Sequence, residues 1–305
     1  MNSDIDHFNP KIGVPERLEP QLVRIVAPNP SPMTFRGTNT YLLGESNIAI
    51  IDPGPNSEQH LKAILSSLNS DQKISHIFVS HTHLDHSPLA KILSQECGAP
   101  IFGYGTSTSG RSTIMTQLAN DGFAGGGEGV DVDFCPDHHL QQGDQIETSD
   151  WQLEVLHTPG HMGNHISLAW DDACFTADHV MGWASSLISP PDGDLTDFMA
   201  SCYALLKRKW RRFFPGHGAP VTDPKGRLEW LISHRNRRES EILHTLSSGS
   251  ASVETIANQI YPDIPIELNS AAQRNVFAHL IDLRRRNRVR TSGPLRQDAT
   301  FTLRG

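Results

Sequence analysis

The run VSHTHLDHSP, Val79 to Pro88, packs His81, His83, Asp85 and His86 into six residues. It follows HIFVS, a short apolar strand, and precedes SPLAKILSQECG, which reads as a helix. A histidine pair two apart at the end of a strand can aim both imidazoles at one cation. Asp85 and His86 come after the chain has turned toward the helix, so they point elsewhere and can hold a second ion. Zinc takes nitrogen and carboxylate ligands at about 2.0–2.2 Å. The plain alternative is a solvated, histidine-rich turn. A site at the carboxyl end of a strand is where open α/β sheets put their chemistry, so the run asks for a layered α/β fold around it.

The flanking sequence has that pattern. TYLLG (40–44) and NIAIID (47–52) read as two strands joined by a polar turn, and DPGP then breaks the chain. SEQHLKAILSSLNS follows with Leu61, Ile64, Leu65 and Leu68 at helical spacing. APIFGYG reads as a strand, QIETSDWQLEVLHTPG as strand, turn, strand, and ISLAW with ACFTAD as a hairpin turned at Asp171–Asp172. GFAGGGEGV (122–130) lacks the strand–loop–helix context of a phosphate cradle and is expected to be a mobile loop.

Charge divides the chain in two. Residues 225–305 hold 13 Lys+Arg against 8 Asp+Glu, a net of +5, which leaves −13 on residues 1–224 out of the overall −8. Two domains are expected, 1–224 and 225–305. In the second, ESEILHTLSSG, SVETIANQIYP and SAAQRNVFAHLIDLRRRNRV read as three helices, followed by a two-stranded hairpin from Val289 to Leu303. That is the layout of a winged-helix domain. Its basic balance fits either an anionic partner or a solvated arginine-rich helix. No apolar run approaches the roughly 18–20 residues of a membrane span, so no membrane partner is expected. MNSDIDHFNPKIG lacks the basic and apolar regions of a secretion signal, and four scattered cysteines without a CxxC pair fit reduced thiols. A cytoplasmic protein is expected.

Three further fragments complete a ligand set. HTPGH presents His161 after a forced Pro-Gly turn. FTADH offers Asp178 at a strand end, where a carboxylate can bridge two cations. FPGHG offers His217 between two glycines. Together they supply His81, His83 and His161 for one metal, Asp85, His86 and His217 for another, and Asp178 for both.

In this order, His81-Thr-His-Leu-Asp-His86, Thr158-Pro-Gly-His161, Asp178 and Gly216-His217-Gly resemble the motif set of the metallo-beta-lactamase-fold hydrolases. GTNTYLL (37–43), SPPDGD (189–194) and the winged-helix-like tail are similar to the beta-lactamase-like protein 2 subgroup. The resemblance implies an αββα sandwich with the site at one edge of two sheets. It also implies that Asp52, in IDPG, orients ligands from behind.

Two divalent ions about 3.5–4 Å apart can share a water and lower its pKa from about 15.7 to roughly 7, giving a bridging hydroxide as nucleophile. Zinc suits the histidine-rich set, with manganese or iron as alternatives. Neutral histidines and two carboxylates give the ligand pocket about −2, which two divalent ions would turn to about +2. Asp85 is also positioned to carry a proton.

Other candidates read as supports. His165 is a hydrogen-bonded neighbour, His179 a wall of the pocket, and His157 structural. His138 and His139 are solvated at a polar turn. Asp192 and Asp194 line the cleft or make a turn.

The expected reaction is hydrolysis of a small ester, thioester or amide. A first alternative is cleavage of single-stranded RNA, described for the subgroup's animal members and favoured by Arg284–Arg288; against it, no aromatic-rich basic strand is present to stack bases. A second alternative is a non-catalytic metal sensor that binds nucleic acid. The chain leaves no room for the inserted domain of RNA-processing members, glyoxalase-type members share the ligand string but usually have a different C-terminal helical lid, and antibiotic cleavage does not fit a chain without a signal peptide.

Overall fold

The structure, a computed structural model, describes residues 8–126 and 129–304. A seven-stranded sheet runs in chain order: β1 (Glu16–Glu19), β2 (Leu22–Val26), β3 (Asn39–Leu43), β4 (Asn47–Ile51), β5 (Lys73–Phe78), β6 (Ile101–Gly103) and β7 (His138–His139). The strands pair antiparallel as far as β4 and parallel beyond it. The parallel crossovers carry α1 (Glu58–Ser66), α2 (Leu89–Cys97) and α3 (Thr113–Asn120). The second sheet comprises β8 (Gln145–Glu147), β9 (Gln152–His157), β10 (Ile166–Trp170), β11 (Ala173–Ala177) and β12 (Arg212–Pro215) in the order β12-β11-β10-β9-β8. Its β11–β12 pair is parallel, with α4 (Leu195–Leu206) between the two strands in sequence.

The period-2 strand pattern sets the layers. On β3 and β4, Tyr41, Leu43, Ala49 and Ile51 point between the sheets, where they meet Leu153, Val155, Leu168 and Phe175 of the second sheet. The alternate residues Leu42, Ile48 and Ile50 point outward to Ile64 of α1 and Leu89 and Leu93 of α2. On the opposite side, Cys174 and Phe213 of the second sheet meet Phe198, Cys202 and Leu205 of α4. Both sheets are therefore covered on both faces, which explains why their strands read as continuous apolar runs. The order is helix, sheet, sheet, helix, as expected.

The C-terminal region begins with α5 (Pro224–Ser247), capped by Asp223, whose carboxylate accepts from the Gly226 N–H. Its first turns put Leu228, Leu231 and Ile232 against α4, while Ile242 and Leu246 join a separate core. That core includes α6 (Val253–Ile260), α7 (Asn269–Arg285) and a small sheet of β13 (Ala251–Ser252), β14 (Val289–Thr291) and β15 (Thr300–Leu303), ordered β13-β15-β14.

Several details differ from the sequence expectation. The first helix of this region starts fifteen residues before Glu239, because an amphipathic face toward α4 continues the C-terminal pattern backward. The hairpin gains a third strand. His138 and His139 form an exposed edge strand rather than a turn, with Phe102 stacked on His138 at 4.6 Å. In GFAGGGEGV, Gly127 and Glu128 lie outside the described residues. On either side, the Ala124 carbonyl accepts from Arg274, and Val130 bridges to His83. Among the described residues no helix is long and apolar enough to cross a membrane. The four cysteines are free thiols.

Candidate metal centre

β5 ends at Phe78, and the chain then turns under the sheet edge. His81, His83, Asp85 and His86 follow in that turn, all under 7% exposed. The Pro-Gly turn after β9 delivers His161, the end of β11 delivers Asp178, and the end of β12 delivers His217. All seven meet at the edge of the sandwich.

Three overlapping groups have ligand atoms within 4.8 Å of one another: His81, His83 and His161; Asp85, His86 and His217; and His81, His86 and Asp178. His83 Nδ1 lies 3.0 Å from both His81 Nε2 and His161 Nε2. Asp85 Oδ2 lies 3.2 Å from the Nε2 of both His86 and His217. Asp178 faces both groups: Oδ1 is 3.4 Å from His86, while Oδ2 is 3.3 Å from His217 and 3.6 Å from His161.

The outer partners decide where the lone pairs point. His161 Nδ1 donates to the Leu187 carbonyl at 2.8 Å, and His217 Nδ1 donates to the Gly37 carbonyl at 3.2 Å. His86 Nδ1 donates to Asp52 at 2.9 Å. Asp52 also accepts from the Ser80 amide and hydroxyl, each at 2.8 Å, which leaves the Ser80 oxygen to accept from His81 Nδ1 at 2.9 Å. Each of these imidazoles uses its outer nitrogen as a donor and turns Nε2 inward, where a bound cation would take up its lone pair. Buried ring nitrogens and carboxylate oxygens converging on one another fit a cation at their centre. His86 Nε2 and Asp178 Oδ1 are buried and have no hydrogen-bond partner among the described residues, as that reading requires. The imidazole and carboxylate donor set suits zinc and also admits iron or manganese.

Charge within the cluster is polarised. Burial pushes His81 well below its ordinary value, His83 down to about 3, and His161 down as well. For His217 burial acts downward too, but Asp178 and Asp85 overcome it and raise it to about 10. His86 is likewise raised well above its ordinary value, against burial, by Asp85, Asp178 and Asp52. Burial would raise Asp85 and Asp178, yet His86 and His217 hold both well below the usual carboxylate range. The protons on His86 and His217 are those a cation would displace.

Close approach explains the glycine beside His217. A Cβ on Gly216 would stand 2.3 Å from Asp178 Oδ1 and 2.8 Å from His86 Cε1. The GTNT segment contributes too: Thr38 Oγ1 donates to Asp85 Oδ2 at 3.1 Å, and the Asn39 amide donates to the carbonyls of Pro215 and Gly218 at 2.9 Å. Sequence reading passed over Thr38, Asn39 and Ser80, although all three lie inside or beside quoted motifs.

His165 and His179 lie behind the cluster. His165 Nδ1 pairs with Thr158 Oγ1 at 2.9 Å, and its ring centroid is 5.1 Å from that of His81. His179 packs on Phe198 at 4.6 Å. Burial lowers both, His179 to about 3, so they are neutral wall residues. His157 stacks on Tyr104 at 3.9 Å. Asp192 pairs with Arg111 at 2.5 Å, and Asp194 caps α4 while pairing with Arg285 at 3.0 Å.

Above the cluster opens a cavity of about 270 Å³. His83, Asp85, His161, Asp178 and His217 form its floor, Met33, Met181, Trp183 and Leu187 its sides, and Tyr261, Ile264, Leu268 and Ala272 its roof. His234, Arg235 and Asn275 also line it. The roof comes wholly from the C-terminal region, and no spacing in the sequence signalled it.

Comparison with known proteins agrees with this architecture. The family described as the metallo-beta-lactamase superfamily matches residues 33–232, and the beta-lactamase associated winged helix domain matches residues 252–296. A beta-lactamase-like protein 2 homologue of Drosophila melanogaster is 30% identical over 290 residues, 90% of this chain and 92% of that protein. An atrochrysone carboxyl ACP thioesterase of Claviceps purpurea is 27% identical over 273 residues, 86% of this chain and 78% of that protein. The crystal structure of a beta-lactamase domain protein from Burkholderia ambifaria shares the fold, with a TM-score of 0.81 at 20% identity over 100% of this chain and 99% of that one. The match over residues 33–232 takes in the whole histidine and aspartate cluster, and the chain belongs to the metallo-beta-lactamase superfamily of hydrolases, with the winged helix domain associated with it.

Proposed function

We propose that the chain is a dinuclear metal-dependent hydrolase of small acyl substrates, a thioester before an ester or amide. One observation carries this reading. The convergent histidines and aspartates are the floor of a cavity whose sides and roof are mainly apolar. Such a chamber fits an acyl chain and excludes water from it. The thioesterase name of a fungal relative supports the same class.

His81, His83 and His161 would hold one ion, Asp85, His86 and His217 the other, and Asp178 both. When bound, the ions supply Lewis acidity at the acyl oxygen and acidify a water. The protein's own groups do the rest. Asp52, Ser80, Leu187 and Gly37 hold the imidazole lone pairs in their inward orientation. Asp85, held by Thr38 and open to the cavity, takes up the water's proton and passes it to the leaving sulfur. A C–O bond forms, the C–S bond breaks, and acid and thiol leave.

Against the RNA alternative, part of the Arg284–Arg288 run is engaged internally. Arg285 pairs with Asp194, and Arg286 with Glu239 and with Asp282. We also take the chain as two domains, 1–224 and 225–305, joined through α5.

The test is turnover of N-acetylcysteamine thioesters, esters and amides by chelated and reloaded protein, with single-stranded RNA alongside. Thioester hydrolysis should vanish on chelation, return with zinc or manganese, and be lost in His83→Ala. A fully metal-loaded protein inert toward every acyl substrate would end this reading.

A further inference from the structure

Arg235, on α5, is 2% exposed and lines the cavity. No acidic side chain pairs with it among the described residues. Its Nη1 donates to Asn275 Oδ1 at 3.1 Å and its Nη2 to the Ser186 carbonyl, both neutral acceptors, while its buried Nε has no partner. Phe198 lies beneath the guanidinium at 5.2 Å. Burial lowers the group only to about 10, so it stays charged at neutral pH. A buried cation facing neutral dipoles is costly unless something supplies the opposite charge.

Around it the cavity presents His234, Tyr261 and Asn275, with no carboxylate; the acidic lining residues, Asp85 and Asp178, belong to the floor. Arg235 is also near the reacting end. It donates to the Ser186 carbonyl, and His161 donates to the next carbonyl, Leu187. Successive residues are only about 3.8 Å apart, so a short chain can reach from the floor to the guanidinium.

We propose that Arg235 is a specificity-determining residue, and that the acyl chain of the substrate ends in a carboxylate which pairs with it. The preferred substrate is then a short carboxyacyl thioester, the monothioester of a dicarboxylic acid. This rests on the hydrolase reading above. The competing role for Arg235 is a clamp that ties α5 to α7 and to the loop at Ser186.

The experiment compares succinyl and butyryl thioesters of N-acetylcysteamine, equal in chain length and different only in the terminal group. Reloaded wild-type protein should favour the succinyl thioester by tenfold or more in kcat/KM, chiefly through KM. Asn275→Asp supplies an internal carboxylate next to Nη1 and should bring the ratio near one without lowering Tm; Arg235→Met should also erase it. A clamp alone predicts a changed Tm and an unchanged ratio. A second arm titrates chelator-treated protein calorimetrically with monomethyl succinate, which should bind wild type and fail to bind Asn275→Asp.

If both thioesters are cleaved equally by wild type, the carboxylate pairing is overturned and the hydrolase reading stands. If neither is cleaved but monomethyl succinate binds in the Arg235-dependent way, the reverse holds. A preference that appears only when butyrate is carried on phosphopantetheine would assign the anion to the thiol side and likewise overturn the proposal.

Discussion

Asp52→Asn probes how the cluster is held, without touching an atom that would meet an ion. Asp52 accepts three hydrogen bonds: from the Ser80 amide, the Ser80 hydroxyl and His86 Nδ1. Asparagine keeps one acceptor oxygen and replaces the other with a donor. At least one buried N–H or O–H then loses its partner, at a cost of about 1–3 kcal/mol. Loss of an outer partner of a ligating histidine typically weakens metal binding by about 10–100-fold, or roughly 1.4–2.8 kcal/mol, which is the same range. His86 should suffer directly. His81 should suffer less, because it is reached through the Ser80 hydroxyl. The assay is competition against a chromophoric chelator, with circular dichroism to verify folding. The ion held by Asp85, His86 and His217 should weaken by tenfold or more, and the other by less. A folded Asp52→Asn protein that binds both ions within twofold of wild type would refute the account of how the imidazoles are oriented.

Other perturbations test other links. Gly216→Ala drives a methyl to within 2.3 Å of Asp178 Oδ1, and should cost more than tenfold in metal affinity with little change in circular dichroism; unchanged affinity would mean the close approach is not needed. His60 is held down to about 4 by burial, against an ordinary value of about 6.5. The fold wants it neutral, so its contribution is intact above pH 6.5 and is lost as pH falls toward 4. Urea unfolding should show His60→Gln losing about 2–3 kcal/mol less than wild type between pH 7.5 and pH 4.5, and equal losses would contradict this. The exposed Arg284 and Arg288 can be reversed together to glutamate, and thioester turnover should stay within twofold; a large loss would point to an anionic partner on the tail.

The cluster was legible because its residue types are rare in combination and its spacing is local. The strand before His81 and the helix after Pro88 fix that spacing by themselves. The Asp52–Ser80–His86 linkage was half visible: Asp52 stood out in IDPG, whereas Ser80 carries nothing in its identity to mark it among so many serines. Strands β1 and β2 escaped notice because ERLE and LVRIV lie between polar, proline-bearing stretches. The cavity roof could not be read at all. Tyr261, Leu268 and Ala272 come from different elements, and only the packing of α5, α6 and α7 brings them over a floor drawn from residues 83 to 217. Arg235 fell outside the helices read from the sequence and counted only toward the basic balance of residues 225–305, since nothing in its neighbours foretells burial.

α5 is one unbroken rod of 24 residues with its two ends embedded in separate cores. A rod without proline or glycine in its middle offers no joint. It accordingly holds the two cores that frame the chamber at a set spacing, like the halves of a mould. Among related chains, new appetites would then arise by recasting the inner lining of that mould one side chain at a time, and truncating the tail would uncover a greasy face on the body rather than release a tidy module.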